Sequence, residues 1–132
     1  MKRIEHLGIA VQNLEASIPV FEALLNTTCY KKEGVASEGV MTAFFKVGES
    51  KIELLEATNP DSPIAKFLSK NGPGFHHVAF EVENIASEIE RLQKAGFVLI
   101  HEIAKDGADN KRIAFLHPKS TNGLLVEICQ EK

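Results

Sequence analysis

Apolar and β-branched residues dominate from about Ile4 to Val11, as in a strand, and Asn13 follows as an available helix cap. Ile18, Phe21 and Leu24/Leu25 then recur at helical spacing. Pro19 suits the first turn of that helix if Ser17 is the cap, and otherwise kinks it. Three strands are predicted next, over Thr28 to Lys32, Val40 to Val47 and Lys51 to Glu56, the last two joined by a tight turn at Gly48-Glu49-Ser50. Asp61-Ser62-Pro63-Ile64 opens a short helix, to about Ser69, with proline in its first turn, and Gly72-Pro73-Gly74 breaks it. The same order then returns. A strand is predicted over Phe75 to Val82, a helix with an Ile85/Ile89/Leu92 stripe ends at Gly96, and strands follow at about Phe97 to Glu102, Arg112 to Leu116 and Leu124 to Cys129.

The second half is a copy of the first. His6 to Leu14 lies over His77 to Ile85 at a constant offset of 71, which also pairs Ile18 with Ile89 and Thr42 to Phe45 with Ile113 to Leu116. After a three-residue insertion, Lys51 to Leu55 lies over Leu125 to Cys129. Apolar matches alone arise between any two amphipathic segments. A histidine and a glutamate that match in register at opposite ends of each half are harder to obtain by chance. The chain therefore reads as α+β, a single domain of two tandem βαβββ modules, about 1–58 and 74–130, with a linker helix at about 61–70.

Composition narrows the class. The chain has 132 residues, enough for one ordinary domain, and 44% hydrophobic with 25% charged residues argues against a disordered tail or a fibre. Its net charge of −3 comes without a basic face, which argues against a nucleic-acid partner. Cys29 and Cys129 stand too far apart for a CxxC motif and read as thiols of a reducing compartment. Leu7 to Val11 is too short for a signal core and no run reaches spanning length, so the expectation is a soluble cytoplasmic protein without a membrane partner.

Four polar residues interrupt apolar strands: His6, Glu53, His77 and Glu127. A lone glutamate flanked by Val126 and Ile128 is best read as facing solvent on an alternating strand. Duplication changes that reading, because related halves would bring two imidazoles and two carboxylates together, a donor set suited to one divalent cation. His77 is chosen over His76 because neighbours on a strand point to opposite faces and the repeat aligns His77 with His6. His76 is expected to cap the glycine loop or pack outside, and His101 and His117 to be ordinary. Glu5 and Glu56 carry the opposite strand parity to the candidates and are expected in solvent, and Glu81 at the surface.

These residues resemble the vicinal oxygen chelate (glyoxalase/dioxygenase-like) superfamily, on His6-Leu-Gly-Ile-Ala-Val11, Lys51-Ile-Glu-Leu-Leu-Glu56, His76-His-Val-Ala-Phe80 and Val126-Glu-Ile128. The nearest resemblance inside it is to the methylmalonyl-CoA epimerases, carried by Asp61 to Leu68 and above all by Ile113 to Glu127 with its Phe-Leu-His-Pro-Lys-Ser run. The resemblance implies a curved eight-stranded sheet around a metal cavity, a homodimer, and an acyl-CoA substrate epimerised through a metal-stabilised enolate. It implies His6, His77 and Glu127 as ligands of one divalent ion (Co, Zn, Ni, Mn or Mg), with Glu53 at a fourth position where family members differ. Glu127 is the expected base and Glu53 a candidate second one. Some epimerases carry a glutamate at the position matched by Thr42, which cannot act as a base at neutral pH. Lys119 and Ser120 either hold the substrate carboxylate or form a plain turn with a solvated lysine, the latter being favoured. The rival readings are a glyoxalase I, an Fe(II) extradiol-type dioxygenase using His6, His77 and Glu127, and a non-catalytic drug- or ligand-binding module. An acidic Glu53 would fill the coordination position that oxygen chemistry needs open. Retained ligands and the absence of tryptophan argue against the binding module.

Overall fold

The computed structural model covers residues 1–132. Its elements follow the predicted order: β1 (Arg3–Ala10), α1 (Leu14–Leu25), β2 (Lys31–Val35), β3 (Val40–Val47), β4 (Ser50–Ala57), α2 (Pro63–Asn71), β5 (Gly74–Glu81), α3 (Ile85–Lys94), β6 (Lys105–Gly107), β7 (Lys111–Leu116) and β8 (Val126–Glu131). All eight strands belong to one mixed sheet. The chain divides into two compact units, His6–His76 and Met1–Glu5 with His77–Lys132.

In the unit His6–His76 the strand order is β2-β3-β4-β1. β1 and β4 run parallel, with α1, β2 and β3 between them in the chain, while β2-β3-β4 is an antiparallel meander. Asn13 caps α1 by accepting from the Ala16 amide, so the helix starts there rather than at Ser17, and Pro19 lies inside it. The α1 side chains Leu14, Ile18, Phe21 and Leu25 pack on Ala43, Phe45 and Leu54. Ile64, Phe67 and Leu68 of α2 meet Ala10, Val40 and Leu55, which point from the other side of the strands. Ser62 caps α2 by accepting from the Ala65 amide, as the Ser-Pro sequence predicts.

The second unit repeats this plan with β5 parallel to β8, antiparallel to β7 in turn, and β6 outermost. Asn84 caps α3, whose Ile85, Ile89 and Leu92 are buried, and Gly96 follows the helix end at φ 97°, a value that favours glycine. The repeat extends to individual hydrogen bonds. Val11 N–H donates to Leu55 O and Val82 N–H to Cys129 O, and the first amide of each helix donates to a side chain, Leu14 to Glu56 and Ile85 to Gln130.

Two predicted strands are displaced. Residues 28–30 are taken up in leaving α1, where Asn26 turns left-handed at φ 53° and the Cys29 amide donates to Glu22, so β2 starts at Lys31. The strand expected over Phe97 to Glu102 is reduced to one bridge, Leu99 opposite Leu116. Lys105 opposes Ile113, so six steps on one side match three on the other, and residues 100–104 loop out with Ile103 exposed. β6 is the strand that fills the place.

Candidate active site

In the unit His6–His76, β1 and β4 set Gly8 beside Glu53. The glutamate carboxylate reaches past that small residue to the imidazole two positions earlier, and His6 Nδ1 lies 3.1 Å from Glu53 Oε2. Across the antiparallel side, Phe44 is the direct partner of Glu53, and Thr42 that of Leu55. Cross-strand partners share a face, so His6, Thr42, Phe44 and Glu53 lie on one side of these strands.

The other unit builds the same arrangement. β5 and β8 set Ala79 beside Glu127, His77 precedes Ala79 by two residues, and His77 Nε2 lies 3.3 Å from Glu127 Oε1. Phe115 is the direct partner of Glu127 on β7, and its ring meets the His77 imidazole nearly edge-on, at 5.7 Å and 80°. Each imidazole–carboxylate pair is almost sealed from water, with side chains only 6–7% exposed. An ionised carboxylate at that depth needs a cation or a proton close by. Imidazole nitrogen and carboxylate oxygen are donors that a divalent cation takes, so the residues present fit one.

The other sequence-stated positions divide into those that behave as expected and those that do not. His76 stacks edge-on against Phe67, and His117 is spent accepting from the Lys119 amide. Ser120 bonds the His117 carbonyl within the same turn, and Lys119 is exposed, which is the plain-turn arrangement. Glu5 is a correction. It is 1% exposed rather than solvated, with Arg3 Nη2 at 3.8 Å and Lys111 Nζ at 4.0 Å from its Oε2. Glu5 and His6 are neighbours on β1 and both are buried, so opposite parity does not mean exposure where a strand is covered on both sides. Glu56 is also not free in solvent, because it accepts the first amide of α1. Glu81 is 9% exposed and bridges Arg3 and Lys2; the Arg3 guanidinium, then Lys2, hold its carboxyl below the usual range against the opposing effect of burial. Cys129 is fully buried and burial pushes its thiol well up, so it is inert in place.

Sequence reasoning passed over Phe44 and Phe115, although both lie in the aligned Thr42-to-Phe45 and Ile113-to-Leu116 blocks. Their phase relative to the glutamates was the available signal.

The chain belongs to the glyoxalase/bleomycin resistance protein/dioxygenase superfamily, whose family model matches residues 5–115. Its eight-stranded mixed sheet with three helices is the glyoxalase-like fold. Among relatives, it is 38% identical over 132 residues to the uncharacterized protein YqjC of Bacillus subtilis, covering 100% of this chain and 94% of that one. It is 41% identical over 130 residues to the ethylmalonyl-CoA/methylmalonyl-CoA epimerase of Cereibacter sphaeroides, covering 97% of each. A variant of the Streptomyces coelicolor methylmalonyl-CoA epimerase, solved with 2-nitronate-propionyl-CoA, superposes with a TM-score of 0.95 at 32% identity, over 99% of this chain and 95% of that one.

Proposed function

We propose that this chain is an isomerase that epimerises methylmalonyl-CoA, with His6, Glu53, His77 and Glu127 holding one divalent cation between them. The observation that carries the reading is the pair of imidazole–carboxylate contacts, 3.1 and 3.3 Å, at repeat-equivalent positions in both units. Likeness to epimerases over nearly the whole chain supports the substrate class. The cation, when bound, supplies Lewis-acid stabilisation of the negative charge that grows on the thioester oxygen.

The remaining chemistry belongs to side chains. The carbon to be inverted carries one proton between a thioester and a carboxylate. Glu127 takes that proton on a carboxylate oxygen, and the electron pair of the C–H bond passes into the enolate. His77, braced by Phe115, fixes where the carboxylate stands. Glu53 returns a proton to the opposite face, after which both carboxyl groups re-equilibrate with solvent. Thr42 is 1% exposed and its hydroxyl is no base at neutral pH, so the second proton falls to Glu53 in this scheme. The homodimer implied by the resemblance and the cytoplasmic location expected from the sequence stay part of the proposal; no helix is long and apolar enough to cross a membrane.

The test is α-proton exchange. Metal-loaded protein is incubated with methylmalonyl-CoA in heavy water and the signal followed by NMR. Loss of the α-proton above the protein-free rate is expected. No exchange with metal bound, or turnover of the methylglyoxal–glutathione adduct in its place, overturns the epimerase reading.

A further inference from the structure

Phe44 and Phe115 are equivalent by the repeat, and each stands directly across the strand pair from an acid. Their surroundings differ. Phe44 is 0% exposed, with the Tyr30 ring 6.0 Å away and Lys31 Nζ 4.9 Å from its centroid. Phe115 is only partly buried, packing on Ala79, Ile113 and Cys129 while its ring meets His77. Of the two residues, only Phe115 stays partly exposed, and its cross-strand partner is Glu127.

We infer that Phe115 is the residue that selects the acyl substituent, by forming the apolar wall against which the alkyl group on the substrate α-carbon packs. This rests on the epimerase reading with Glu127 as base. A carbon that gives its proton to Glu127 stands within about 3 Å of that carboxylate. Side chains directly opposite on paired strands are about 5 Å apart at Cβ, so a group over Glu127 also meets Phe115. Two of the three heavy substituents on that carbon, the carboxylate and the thioester carbonyl, are polar and gain nothing from a phenyl ring. The alkyl group is the one substituent that buries favourably there, and a rigid ring limits its length.

The test compares methylmalonyl-CoA with ethylmalonyl-CoA in the α-proton exchange assay. Phe115→Leu is expected to raise the ethyl-to-methyl ratio of kcat/KM on the order of 10-fold, the usual worth of one methylene in an apolar pocket. Metal content and thermal melting are measured alongside. Should Phe115→Leu fail to fold, the unaltered holoprotein decides: a nuclear Overhauser effect is expected between the methyl group of bound methylmalonyl-CoA and the Phe115 ring protons. A ratio within twofold of the wild type, or no Overhauser effect in a saturated complex, overturns the inference. A wild type that exchanges neither thioester refutes the epimerase reading instead, so the two failures are distinguishable.

Discussion

The hydrogen bond that starts each long helix allows the repeat to be tested energetically. Leu14 opens α1 and is 3% exposed; Ile85 opens α3 and is 4% exposed. Their amides donate to Glu56 and Gln130, which are the same position in the two halves, one charged and one neutral. A charge-assisted bond is worth about 1.5–3 kcal/mol and a neutral one about 1 kcal/mol. A negative charge at a helix N-terminus adds about 0.3–1 kcal/mol. Glu56→Ala should therefore cost about 2–3 kcal/mol, because it strands a buried amide and removes the charge. Gln130→Ala should cost about 1 kcal/mol. The exchanges sharpen the contrast: Glu56→Gln keeps an acceptor and should cost about 1 kcal/mol, whereas Gln130→Glu should stabilise by about 0.5 kcal/mol. Urea unfolding of metal-free protein at neutral pH measures all four, provided the transition is two-state. Equal losses for the two alanine variants, or destabilisation by Gln130→Glu, would refute the reasoning.

Two further outcomes are expected. Glu127→Gln should slow α-proton exchange at least about 100-fold while metal is confirmed bound, within the range of general-base effects; activity near wild type would remove Glu127 from the base role. Glu81 supplies a pH dependence: its native carboxyl lies below the ordinary 4.5, so its contribution to stability is complete above that value and is lost as pH falls through the native one. Glu81→Gln should then be less stable than wild type at pH 7 and converge with it in acid, as denaturant midpoints across pH would report; parallel curves would contradict this.

Most of the architecture was legible because one short pattern occurs twice. The repeat singled out His6 and Glu53 in one half and His77 and Glu127 in the other, and each unit sets its own imidazole beside its own carboxylate. The same logic stopped short where regularity does. Glu5 is buried although its neighbour His6 is buried too, and nothing in Ile-Glu-His announces that the strand is covered on both sides there. The run after Gly96 has strand composition, yet its pairing to β7 is interrupted after one bridge because residues 100–104 loop out. Phe115 matches Phe44 in the repeat, but the difference between them lies in what covers each ring, and Tyr30 and Lys31 lie where the chain enters β2, later than the sequence pattern suggests.

Each unit contains its own histidine and glutamate, so the account turns on how many cations the chain holds. Equilibrium dialysis against cobalt, with the ion counted by elemental analysis, decides it for the wild type and for His6→Ala and His77→Ala. One ion per chain, lost in either variant, is the expected result. Two ions per chain, or an ion that survives loss of one histidine undiminished, would mean that the two pairs act separately and would contradict a shared centre.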